Sequence, residues 1–142
     1  MIEREAGNVS LISNKEVYKM KIIEAIQAVD TLKPNTYSEL EKIQWLSKLD
    51  STIKTEIIDT HEGADDITFN GYDENTSLET ELLVKAPYDD IYVSWLESRI
   101  DYANGEYAKY NNSITVFNTA YTSFERYYNK SHMPKGTKIQ YF

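Results

Sequence analysis

Few side chains in these 142 residues could do chemistry. There is no cysteine and there are only two histidines. His61 and His132 are far apart in sequence, and neither belongs to a helical histidine pair beside a carboxylate. Each is therefore read as a surface or helix-capping residue. The run "DENTSLETELLV" (73–84) places Asp73, Asn75 and Ser77 where a calcium loop needs its first three ligands. It fails at Leu78, where the loop needs glycine, and at Val84, where it needs a bidentate glutamate. "HEGADD" and "NGYDEN" carry glycine in acidic settings that would repel a phosphate. No serine sits in a nucleophile elbow. Carboxylates are abundant, but abundance does not pick out an acid–base pair. The reading is a chain with no metal, no cofactor and no catalytic residues, and so not an enzyme.

Aromatic residues are the exception to this plainness. Twelve Tyr, four Phe and two Trp make up 13% of the chain. Ile114, Phe117, Tyr121, Phe124 and Tyr128 follow one another at steps of three and four, the spacing of a buried helical stripe. Tyr102, Tyr127, Tyr141 and Phe142 lie off that stripe. Tyrosine buries a large area while keeping a polar tip, so this surplus reads as contact surface for other protein chains. Lys135, Lys138 and Ile139 join Tyr102, Tyr127, Tyr141 and Phe142 as candidate interface residues. The alternatives are a filled core and a ligand pocket inside the bundle.

The elements that must position these residues are helical. Five glycines and three prolines are few punctuators for a chain of this length, which favours long helices. Val17, Met20, Ile23, Ile26 and Val29 predict a helix near 16–32, stopped by Pro34. Ser38 and Glu41 form a capping box that opens a helix near 38–61, with Leu40, Ile43, Leu46, Ile53 and Ile57 as its stripe and Gly63 as its stop. A third helix near 88–110 begins behind Pro87, with Asp89 and Asp90 at its positive end. "NNS" (111–113) is a break or a cap before the fourth, near 113–131. "LETELLVKA" (78–86) reads as a short strand or extended arm. The expected fold is an all-α bundle of about four helices, spanning 1–133, with an acidic central loop. A tail, 134–142, is expected to be mobile until a partner orders it. Leu46, Ile53, Ile57, Trp95, Phe117, Tyr121 and Phe124 are the expected core.

Composition limits the partners. The formal charge of −8 argues against a general nucleic-acid binder. From Glu56 to Asp90 eleven acids face one base, Lys85, whereas Arg126, Lys130, Lys135 and Lys138 stand in a stretch with no acid. These opposite charges are expected to meet each other or a charged partner. No apolar run of membrane-spanning length and no secretory leader is seen. Lack of cysteine excludes a disulfide framework and fits an intracellular protein. The Asn-x-Ser patterns at 75, 111 and 129 carry no meaning without secretion.

Two segments carry a resemblance. "AIQAVDTLKPNTYSELEKIQWLSKLDSTIKTEIIDTHEG" and "ELLVKAPYDDIYVSWLESRIDYANGEYAKYNNSITVFNTAYTSFERYYNKSHMPK" resemble the head–tail connector (adaptor) proteins of tailed phages and prophages of Gram-positive bacteria. "WLSKLD", "DTHEG", "YNNS" and "YNKSHMPK" are its most specific pieces, and the resemblance spans about residues 22–135. It implies a virion protein of the neck, assembled in the host cytoplasm. It also implies a homo-oligomeric ring, roughly twelve-fold, beneath the portal protein. A tail or stopper protein would follow below. DNA would pass through the lumen without specific binding, and no membrane is involved. Residues 1–19 precede the usual start of such proteins, which makes Met20 the expected first residue. A tail-completion protein, another small helical adaptor and a small-ligand-binding bundle are the competing readings.

Overall fold

The computed structural model describes residues 17–136. Among these, four helices and a two-stranded antiparallel sheet form a small, mostly helical bundle. Strand β1 (Lys19–Lys21) runs directly into helix α1 (Ile22–Leu32), and helix α2 is Glu39–Glu56. Two single 3₁₀ turns, Ile58–Thr60 and Ala64–Asp66, lead into an irregular acidic segment. Strand β2 (Glu81–Lys85) then pairs with β1. Helices α3 (Asp90–Ala103) and α4 (Tyr107–Ser131) form a hairpin.

The first expected helix starts six residues late. Met20 belongs to β1 and Val17 is exposed, because the chain there pairs with β2 instead of coiling. The helix opens once its unpaired amides find partners. Ile22 N donates to Thr80 O (2.9 Å) and Ile23 N to Leu78 O (3.0 Å), while Lys21 N donates to Glu24 Oε1 (2.9 Å). The second helix begins as expected. Ser38 Oγ accepts from Glu41 N at 3.1 Å, and Glu41 Oε1 accepts from Ser38 N at 3.3 Å. It ends at Glu56 rather than 61, and Leu40 is exposed rather than part of the stripe.

The break in the long C-terminal stretch lies at Asn104–Glu106, not at "NNS", which is helical. Gly105 has φ of +74°, a left-handed turn that glycine adopts without penalty and other residues resist. Asp101 reinforces the corner. Its backbone oxygen accepts from Glu106 N (3.0 Å) and its side chain from Ser113 Oγ (2.9 Å). Lys33 Nζ stands 3.0 Å from Asp101 Oδ1, an ion pair poorly directed for a hydrogen bond. That contact ties α1 to the hairpin.

Helix α3 is the central element, packed on α1, α2 and α4. Ile91, Tyr92, Leu96 and Ile100 are inaccessible, and so is Ser98, whose hydroxyl returns to Trp95 O. A helix buried on most sides need not look amphipathic. Of the expected core, Leu46, Ile53, Ile57, Phe117 and Phe124 are buried. Trp95 and Tyr121 are only half-buried, because each keeps a polar tip at the edge. Trp95 Nε1 donates to Trp45 O (2.8 Å), and Tyr121 Oη donates to Glu56 Oε1 (3.0 Å).

The tail does not leave freely at Pro134. Glu62 N donates to Met133 O (2.8 Å), Lys135 N donates to Thr60 O (3.0 Å), and Pro134 bridges His61. The acidic corner and the start of the basic tail therefore do meet, through backbone. No described helix is long and apolar enough to cross a membrane.

Candidate protein-interaction surfaces

Three polar clusters could carry function. The first is Asp50, which lies within the apolar stripe of α2 and is fully buried. Tyr72 Oη donates to Asp50 Oδ2 (2.6 Å), Tyr92 Oη to Oδ1 (2.7 Å) and Leu83 N to Oδ2 (3.1 Å). Val84 N donates to Tyr92 Oη at 2.8 Å. Burial pushes the Asp50 carboxyl up to about 6, against the pull of those donors. Burial and the facing carboxylate raise both tyrosines. A shifted carboxylate between two phenols has the makings of an acid–base centre, but this one is sealed from solvent. What it does is fasten β2 to α2 and α3.

The second cluster corrects the reading of the histidines. His61 is buried rather than on the surface, though it does cap. Its Nδ1 lies 2.7 Å from Ile57 O, so that nitrogen donates, at the end of α2. Its Nε2 lies 2.9 Å from the Asn129 side chain. The His132 ring stacks on Tyr128 (3.8 Å, 6°), and the two imidazoles come within 6.5 Å. Sequence distance hid this because the pairing depends on α4 returning beside the 3₁₀ turns. Among the described residues no three His, Asp or Glu side chains converge as a metal set.

The third cluster is exposed. At the tip of the α3–α4 hairpin, the Arg99 guanidinium lies over Trp95 (4.4 Å) and beside Tyr102 (5.5 Å) and Tyr110 (5.6 Å). Tyr102 also meets Tyr107 and Tyr110, at 5.7 and 5.3 Å. Tyr102 and Tyr107 are 53% and 60% exposed, so these rings are not spent on the core. Arg99 Nε is enclosed without an acceptor among the described residues. Trp, Tyr and Arg are the residues that dominate the energetics of protein interfaces. Tyr102 was recognisable from sequence. Arg99 was not, because nothing local marks an arginine that will be caged by rings from two helices.

Tyr127, the other described candidate of the off-stripe aromatics, lies at the far end of α4. Twenty residues separate Tyr107 from Tyr127, about 30 Å along the helix. Tyr127 stacks on Tyr88 (4.8 Å, 24°), and Lys85 Nζ is 5.3 Å from its ring centre. Lys135 is exposed beside the acidic corner. Lys138, Ile139, Tyr141 and Phe142 lie outside the described residues. The structure thus separates Tyr102 from Tyr127 rather than bringing them into one patch. No family model matches this chain, and neither a curated protein nor a solved structure does.

Proposed function

We propose that this chain is a structural subunit of a tailed-phage particle, a head–tail connector that forms a ring beneath the portal and joins capsid to tail. The resemblance across residues 22–135 supplies the particular role. The observation that best supports an assembly role is the Arg99–Tyr102–Tyr107–Tyr110 cluster, a solvent-facing set of anchor residues on a rigid hairpin. A second aromatic patch at Tyr88–Tyr127 gives the subunit two contact regions held apart by α4. A subunit that joins copies of itself in a ring and also meets a second protein needs separated, non-identical faces. The reading is assembly rather than catalysis: among the described residues the strongly shifted carboxylate is Asp50, and it is inaccessible to any substrate. The acids of 73–81 would let DNA pass a lumen without adhering.

The same surfaces would serve a tail-completion protein or another small adaptor. A ligand-binding bundle is the weaker reading, because Ile22, Leu46, Ile53, Leu96 and Ile100 fill the interior. The test is mass measurement of the purified chain, alone and with the portal and tail proteins of the same phage or prophage. Ring-sized assemblies, or co-migration with portal, are expected. A monomer that ignores both portal and tail proteins would overturn the connector reading.

A further inference from the structure

The two flanks of α4 differ in charge. At 100° per residue, Tyr121, Glu125 and Asn129 turn to one side of the buried stripe, and Ser123, Tyr127 and Lys130 to the other. The contacts agree: Tyr121 reaches Glu56 and Asn129 reaches His61, whereas Tyr127 meets Tyr88 and Lys85. On the first side lies the acidic corner, with Glu62, Asp65 and Asp66 all exposed. On the second, Tyr88, Ser123, Arg126, Tyr127, Lys130 and Ser131 line an open groove of about 370 Å³.

This groove is cationic in a molecule of net charge −8. Among the described residues Lys21, Lys33, Lys42, Lys54 and Lys109 pair with carboxylates, whereas Lys85, Arg126 and Lys130, like Lys19, Lys48, Arg99 and Lys135, do not; Arg126 and Lys130 are set apart by lining one groove, with Lys85 beside its Tyr127. Lys19 lies directly across the strand ladder from Lys85, a pairing of like charges that costs stability when nothing neutralises it. The Lys85 ammonium also lowers the Tyr127 hydroxyl below its ordinary value through a hydrogen bond.

We propose that this groove is one half of a head-to-tail interface, and that the acidic corner of a second copy, Glu62 with Asp65 and Asp66, docks into it. The occupant is argued from charge: the same chain carries three exposed acids and a matching set of unanswered cations on opposite flanks of one helix. Such an interface uses different patches on each copy, so it propagates and closes into a ring when the rotation permits. The inference rests on the ring reading for its occupant and supplies that reading with a lateral contact. The Arg99 cluster at the other end of α4 stays free for a different protein.

The experiment is a charge swap, followed by sedimentation velocity at low and high salt. One variant carries Arg126→Glu and Lys130→Glu, the other Asp65→Lys and Asp66→Lys; all four side chains are exposed, and unchanged melting verifies folding. The wild type is expected to self-associate at low salt and to dissociate as salt rises. Each variant alone should associate more than roughly 100-fold more weakly, as close charge pairs across an interface do when one side is reversed. An equimolar mixture of the two should associate again as alternating copies. If each variant alone assembles like wild type, other faces make the contact; the docking is then wrong while the ring reading stands. A wild type that is monomeric at every concentration and salt overturns the docking too, and the portal co-migration test judges the connector role separately. Labelled duplex DNA is the control ligand: retention by wild type and loss with Arg126→Glu and Lys130→Glu would assign the groove to nucleic acid and overturn the proposal.

Discussion

Replacing Asp50 by Asn should change how stability depends on pH more than it changes stability itself. Burial raises the Asp50 carboxyl from 3.8 to about 6 in the folded chain. A group whose folded value lies above its unfolded value stabilises the fold fully below the unfolded value. That contribution is lost as pH rises through the folded one. A rise of about 2 units at 1.36 kcal/mol each gives about 3 kcal/mol, lost between pH 4 and pH 7. Asn is nearly the same shape but does not titrate. One amide oxygen can still accept from Leu83 N and Tyr72 Oη, while the amide nitrogen leaves the Tyr92 proton without its acceptor, a cost of about 1–3 kcal/mol. At pH 7 these effects oppose, and Asp50→Asn should unfold within a few kcal/mol of wild type. At pH 3, below the unfolded value, the relief of charge burial has gone and only the cost remains. The difference in stability between the two proteins should therefore move by about 3 kcal/mol toward wild type on acidification. Glu24, which Tyr18 holds below its usual range, titrates equally in both proteins and cancels in the difference. Urea unfolding at half-unit pH steps, followed by fluorescence of Trp45 and Trp95, measures it. Parallel pH profiles for the two proteins would refute the assignment of Asp50 as a buried, reluctant acid.

Phe124 is buried against Tyr88, Tyr127 and Tyr128, and Phe124→Ala should cost about 3–5 kcal/mol by urea unfolding. His61→Ala removes partners from Ile57 O and Asn129 in a buried place and should cost about 1–3 kcal/mol, again read by urea unfolding. Arg99→Lys keeps the charge but not the planar fork that lies on Trp95, so binding to a portal partner should fall while the melting temperature holds. Ending the chain after Met133 removes the Lys135–Thr60 bond and should lower stability by about 0.5–1.5 kcal/mol, visible in a thermal melt; an unchanged melt would mean that this docking is not stabilising.

Helix type and rough order were legible because Ser38–Glu41, Pro34 and the 114–128 stripe are local signals with local causes. The failures share a different cause. Met20 fits a helical stripe, but carbonyls from Leu78 and Thr80, nearly sixty residues on, decide where α1 starts. The turn at Gly105 has no strong local mark beside "NNS", and Glu106 N returning to Asp101 O is what closes the earlier one. Asp50 did leave a trace, an acid set between Leu46 and Ile53 on an apolar face, but its two tyrosine partners are visible only in three dimensions. Of the candidate surface, Tyr102 and Tyr127 were readable as surplus aromatics. Their separation and the caging of Arg99 were not, since both depend on how α4 lies against α3.

The central burial of α3 has a consequence for how this sequence can drift. Ile91, Tyr92, Leu96, Ser98 and Ile100 each meet neighbours on several sides, so a change of one methylene there must be answered by changes elsewhere. The outer face of α4, with Thr115, Thr119 and Thr122, meets mostly water and can exchange residues freely. Diverged copies of this chain would then retain a short memory of common descent, densest in α3 and shared with the buried stripes of α1 and α2, while most of the surface is rewritten. A saturation library selected for folding alone should show that contrast directly, with α3 intolerant and the outer face of α4 permissive.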